Sequence, residues 1–73
     1  MLISIEYCVV WSYYPKAASL AENIKQKIAT AEIKFIESSG GAFEVKKDGR
    51  LIFSKRQKGR FPESDEIINL IKS

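Results

Sequence analysis

The stretch that decides the architecture is IEYCVVWSYYPKA, residues 5–17. An apolar, β-rich run ends at Cys8, and a helical pattern begins near Pro15. A strand that gives way to a helix through so short a loop is the opening of a βαβ unit. Upstream, Leu2 to Cys8 alternates: Ile3, Ile5 and Tyr7 share one face, and Leu2, Ser4, Glu6 and Cys8 share the other. Downstream, Ala17, Leu20, Ala21, Ile24 and Ile28 form one apolar stripe within Lys16–Ile28, with Lys16, Glu22, Asn23, Lys25 and Gln26 outside it. Pro15 suits a first helical turn, where a missing N–H costs nothing.

The remainder of the chain extends this unit. Residues 31–37 alternate again, with Ala31, Ile33 and Phe35 on one side, before Ser38-Ser39-Gly40-Gly41 breaks the pattern. Strands are expected over residues 42–47 and 50–55, joined by Asp48-Gly49, a two-residue type I′ hairpin signal. A regular hairpin there pairs Val45 with Ile52 and Phe43 with Ser54 on one face, and Glu44 with Phe53 and Lys46 with Leu51 on the other. Residues 55–62, KRQKGRFP, are expected to form a basic loop. Pro62 and Ser64 then open a helix ending near Lys72, with Ile67, Ile68, Leu70 and Ile71 as its apolar side. The element order is β-α-β-β-β-α, an α/β (α+β) domain spanning residues 1–73. A right-handed crossover makes the first two strands parallel, and a four-stranded mixed sheet in the order 2-1-3-4 follows. With only two helices, both fall on one face. The other face then carries Leu51, Phe53 and Ile36 toward solvent or a partner.

Composition limits the function classes. The chain has 73 residues, 45% hydrophobic and 29% charged, with a net charge of +3, which describes one modest globular domain. No strand face interleaves aromatic and basic residues in the way an RNA-binding sheet does, so a nucleic-acid partner is not expected. One cysteine and no histidine exclude an internal disulfide and leave no ligand set for zinc. Glu6 interrupts the apolar N-terminal run, which reads as a strand and not a signal peptide. No apolar run approaches the ~20 residues a bilayer span needs. A cytoplasmic, thiol-reducing setting is expected.

Four segments carry a resemblance: YCVVWSY after the first strand, SGGAFEV into the third, DGRLIFSK across the hairpin and GRFPE before the last helix. Their order and spacing, over roughly residues 3–72, resemble the selenoprotein W family of small thioredoxin-like redox proteins. The resemblance implies a thioredoxin-like fold and thiol or selenol–disulfide exchange with glutathione or protein thiols. It calls for no resident cofactor. In that family the loop after the first strand holds Cys-x-x-Sec or Cys-x-x-Cys. Cys8 matches the first position and Trp11 falls on the second, so these two are the candidate site residues.

Trp11 is the main departure from the pattern. The UGG codon for tryptophan differs by one base from the UGA of selenocysteine, so Trp11 either replaces a natural selenocysteine or is native to a single-thiol member. As written, Cys8 forms a mixed disulfide but has no internal partner to release it, and dithiol reductase activity is not expected. Read from residues alone, Cys8 is first a small buried hydrophobe at a strand end; the resemblance turns the reading to a redox residue. Ser38–Gly41 is either a flexible turn or a substrate-side loop beside Cys8. Lys55, Arg56, Lys58 and Arg60 either attract an acidic partner, such as the carboxylates of glutathione, or form a solvated connection. A second functional class stays open: a non-catalytic interaction module using the Trp11/Tyr13/Tyr14 tip or the open sheet face. Either way the chain is expected as a monomer or a weak homodimer.

Overall fold

The computed structural model describes residues 1–73. Its elements are β1 (Leu2–Cys8), α1 (Tyr14–Lys27), β2 (Glu32–Ser38), β3 (Phe43–Lys47), β4 (Arg50–Ser54), α2 (Lys55–Lys58) and α3 (Ser64–Lys72). The sheet order is β2-β1-β3-β4, as the crossover and hairpin signals require. β1 runs parallel to β2, from Leu2↔Glu32 to Cys8↔Ser38. It runs antiparallel to β3, from Ile3↔Lys47 to Tyr7↔Phe43.

The alternation in β1 is realised as read. Ile3, Ile5 and Tyr7 are buried with Phe43 and Val45 under Leu20, Ala21 and Ile24 of α1 and Ile67, Ile68 and Ile71 of α3. Both helices therefore cover one face of the sheet. Pro15 occupies the first turn of α1, and Lys25 and Lys27 sit in its last turn, where they oppose the negative end of the helix dipole. α3 starts with a reciprocal capping box: the Glu63 side chain accepts from the N3 amide, and the Glu66 side chain accepts from the Glu63 amide. Leu70, expected on the apolar side of α3, is instead 39% exposed. No helix is long and apolar enough to cross a membrane.

The hairpin turn forms where Asp48-Gly49 signals it, with both residues at positive φ (50° and 84°) as a type I′ turn requires. Its tip is tied to the start of β1. The Leu2 amide donates to Asp48 Oδ1 and the Asp48 amide to the Leu2 carbonyl, both at 2.8 Å.

Beyond the turn the expected register fails. Lys46 faces Leu51 as predicted, but Val45 faces Phe53 and Glu44 faces Ser54, with the shift lying between Val45 and Lys46. Ile52 is the extra residue of a β-bulge. A regular hairpin would place Phe53 on the uncovered face. The bulge turns it inward, where it is 2% exposed beside the fully buried Val45. Burial of a phenylalanine is worth ~1.5–3 kcal/mol, more than the ladder disruption costs. Leu51 and Ile36 do remain exposed, at 42% and 37%.

The expected basic loop is also corrected. Residues 55–58 form a single helical turn, because Ser54 Oγ accepts from the Gln57 amide and Gly59 closes the turn at φ 73°. Phe61 then anchors the entry to α3, with its ring centroid 4.7 Å from that of Tyr13 and 5.3 Å from that of Phe43.

Candidate functional site

Three pieces of backbone meet at the C-terminal end of β1. Cys8 is the last residue of the inner strand and is held on both sides. Its amide donates to the Ala42 carbonyl (2.8 Å), and the next amide, Val9, donates to the Ser38 carbonyl (3.0 Å). The chain then turns back sharply: the Ser12 amide bonds the Val9 carbonyl, the Tyr13 amide bonds the Cys8 carbonyl, and Ser12 takes up φ 58°. This fold-back brings the Trp11 amide to 3.4 Å from Cys8 Sγ.

Cys8 has no exposed surface, so the thiol expected at an accessible tip is covered. Nor does any of the surface concavities include Cys8 or Trp11; the one between Pro15, Lys16, Phe61 and Ser64, about 320 Å³, lies elsewhere. The surroundings of the sulfur are nevertheless polar. Burial is the largest influence on the thiol and pushes its pKa up. The amides of Trp11, Gly41, Val10 and Ala42 all favour the thiolate, and together they outweigh burial, leaving the thiol below its ordinary 9.0. These amides belong to the loops around the sulfur, in the manner of an anion-binding nest.

Trp11 stands beside Cys8, as the two-residue spacing implied. Its side chain is 59% exposed, yet one edge of the indole is seated on Gly41. A Cβ at Gly41 would lie 2.6 Å from Trp11 Cζ3, 3.0 Å from Cε3 and 3.2 Å from Cη2. Gly41 also has φ 74° and follows Gly40 at φ 69°. Ser38–Gly41, ambiguous in the sequence, is thus the wall of the site: it supplies one amide from Gly41, leads into that of Ala42, and makes a seat for the indole. The other side of the turn is held by Arg56, whose Nη2 donates to the carbonyls of Ser39 (2.9 Å) and Gly40 (3.4 Å). In the sequence Arg56 belongs to a basic stretch read either as partner-attracting or as a solvated connection. Main-chain acceptors leave no mark in a sequence, so this role could not be read there.

On the uncovered sheet face beside Cys8, Glu6 and Glu44 are direct cross-strand partners. Ser38 Oγ donates to Glu6 Oε2 (2.7 Å) and Ser54 Oγ to Glu44 Oε1 (2.9 Å), while Glu44 Oε2 is buried without a partner. The apolar tip is formed by Val9, Val10 and Trp11, with Val10 76% exposed. Tyr13 turns inward against Phe61. Tyr14 instead packs on Tyr7 and Phe35, with centroids at 5.4 and 5.5 Å. Of the tip expected from Trp11, Tyr13 and Tyr14, Trp11 and Tyr13 stay in edge contact, with centroids 6.0 Å apart, and Tyr14 departs.

Comparison with known proteins agrees with this geometry. A selenoprotein W-related protein from Vibrio cholerae superposes with a TM-score of 0.92 at 25% identity, covering 97% of this chain and 91% of that one. A Bordetella parapertussis protein shares the fold at the same TM-score and 23% identity, covering 97% of this chain and 92% of that one. In sequence, the chain is 33% identical over 70 residues to migration and invasion enhancer 1 of Bos taurus, and 31% identical to that of Mus musculus. Each match takes in 96% of this chain and 61% of the relative, so the chain spans less than two thirds of those proteins. The Rdx family model matches residues 2–73. The chain therefore belongs to the Rdx family, the selenoprotein W-related group of thioredoxin-like redox proteins.

Proposed function

We propose that Cys8 is a single reactive thiol that exchanges with disulfides of glutathione or of protein cysteines. The observation that carries this reading is the loop fold-back that sets the Trp11 amide 3.4 Å from the sulfur; together with neighbouring main-chain amides it holds the thiol's pKa down despite burial. In the exchange, the Cys8 thiolate attacks one sulfur of a disulfide. That S–S bond breaks, a new one forms to Cys8, and the departing thiolate takes a proton from water. Trp11 has no sulfur, so release requires a thiolate from outside. It attacks the adduct sulfur, the S–S bond to Cys8 breaks, Cys8 departs as the thiolate, and the attacker carries the adduct away as a new disulfide. Because Cys8 has no exposed surface, the loops around it must open before a disulfide can enter.

Incubation with glutathione disulfide followed by intact-mass analysis tests the reading. One glutathione per chain is expected on the wild type and none on Cys8→Ser. The absence of any adduct on the folded wild type, from neutral to mildly alkaline pH, would end the proposal.

The exposed Val9, Val10 and Trp11 favour a second reading, a docking module whose apolar tip meets a protein partner. Under that reading, Cys8→Ser keeps partner binding and Val10→Asp loses it. Loss with Cys8→Ser instead assigns the binding to the thiol.

A further inference from the structure

We propose that Arg56 is a positioning residue for Cys8, holding the glycine turn that lies against the cysteine and seats the Trp11 indole. The inference rests on the single-thiol reading above and adds the part that tunes it. Arg56 lies on α2, remote in sequence from both Cys8 and the turn. Its Nη2 reaches across to the carbonyls of Ser39 and Gly40. The contact is close enough that a Cβ on Gly40 would stand 3.0 Å from that nitrogen. The residues that follow adjoin the cysteine: Gly41 seats the indole of Trp11, whose own amide lies 3.4 Å from Cys8 Sγ, the Ala42 carbonyl accepts from the Cys8 amide at 2.8 Å, and the amides of Gly41 and Ala42 help to lower the thiol's pKa.

A peptide plane whose carbonyl is fixed has its amide orientation fixed too, since the unit is planar. The Gly40 carbonyl and the Gly41 amide belong to one such plane. By holding that carbonyl, Arg56 sets the direction of the Gly41 N–H.

The clamp is needed because of the residues it holds. Two consecutive glycines at φ 69° and 74° occupy a conformation that glycine leaves as readily as it enters. On the far side, only an indole edge braces Gly41. A charge-assisted donor to two successive carbonyls removes the slack. The short helix exists to deliver it: Ser54 caps α2 through Oγ and also donates that hydroxyl proton to Glu44, which fixes where the helix starts and so where Arg56 points.

The test compares wild type, Arg56→Ala, Arg56→Gln and Arg56→Lys. Cys8 ionisation is followed by thiolate ultraviolet absorbance, which needs no reagent to reach the buried sulfur. Hydrogen exchange at residues 40–42 is measured in parallel. Arg56 is exposed, so these variants should fold. In Arg56→Ala the titration midpoint is expected to rise, leaving about three- to tenfold less thiolate below the midpoint, the change that half to one pKa unit produces. Exchange at Gly41 and Ala42 should accelerate. Arg56→Gln, neutral but able to donate, should recover part of both effects. The shift should persist at ~1 M salt, where a distant charge would be screened.

An unchanged midpoint in Arg56→Ala overturns the proposal. So does a shift that Arg56→Lys fully restores and high salt abolishes, because charge alone would then explain it. A wild-type midpoint at or above the ordinary thiol value would instead refute the single-thiol reading, whatever Arg56 does.

Discussion

Gly41→Ala is the most direct perturbation of the site. It strikes two independent features: a left-handed backbone at φ 74° and an indole occupying the space where a Cβ would go. The backbone term alone costs roughly 1–2 kcal/mol for a residue with a Cβ. In a domain of this length each kcal/mol lowers the melting temperature by about 4–8 °C. The steric term is resolved differently. At 2.6 Å from Cζ3 the new methyl cannot coexist with the ring, but the indole is more than half exposed and is free to swing outward. The expected result is a loss of roughly 4–16 °C, a red-shifted tryptophan emission, and faster alkylation of Cys8 once its cover is displaced. A double-mutant cycle separates the two terms. In a Trp11→Ala background, Gly41→Ala should retain the backbone cost and produce no further gain in Cys8 reactivity. If Gly41→Ala melts with the wild type and its emission and Cys8 alkylation rate are unchanged, then neither the turn geometry nor the indole seat described above exists.

Further outcomes follow from other parts of the molecule. Trp11→Cys places a second thiol in the fold-back whose amide already lies 3.4 Å from Cys8 Sγ; mild oxidation should give an intramolecular disulfide, seen as a mass loss of about two hydrogens, and failure to form it would show that the loop cannot close the pair. The Arg60 guanidinium binds Glu66 through two hydrogen bonds of 2.9 and 2.8 Å and lowers its carboxyl from 4.5 to about 2. Stability from this depressed acid is fully present above pH 4.5 and is lost as pH falls through about 2. The melting-temperature gap between wild type and Glu66→Gln should therefore close over that window, and a gap independent of pH would mean that the ion pair is not its source. Phe53→Ala should cost about 3–5 kcal/mol in denaturant unfolding, whereas Leu51→Ala on the uncovered face should cost well under half as much; equal costs would place Phe53 outside the core.

The features legible in the sequence were those decided by neighbouring residues. Ile3, Ile5 and Tyr7 announce their buried face by alternation, Asp48-Gly49 announces its turn, and the α1 stripe announces its helix. Once the crossover hand is fixed, the sheet order follows from these alone. The bulge at Ile52 was not legible, because a hairpin is regular by default and only the shape of the completed core favours Phe53 inside over Phe53 outside. α2 escaped notice because one helical turn is too short for periodicity, although Ser54 and Gly59 at its two ends were available signals.

The same division runs through the site. The end of the inner strand at position 8 came from local order, and the pairing of positions 8 and 11 as a site came from the resemblance carried by YCVVWSY. The burial of the sulfur did not. Beside the local amides of Val10 and Trp11, the groups that act on the sulfur include Gly41 and Ala42, in a turn that Arg56 holds; these are far away in sequence and act largely through backbone atoms. The double glycine was the visible trace of that wall, with nothing local to say what it faced.

The central position of β1 bears on how the molecule is made. Cys8 leaves the ribosome before its partner strands, residues 32–38 and 43–47, so those strands cannot shelter its sulfur until they too have emerged. For that interval the nascent polypeptide carries a bare thiol, open to any oxidant or disulfide nearby. An adduct acquired then would occupy the space that the amides and the indole later need, and would have to be stripped before the sheet could close around it.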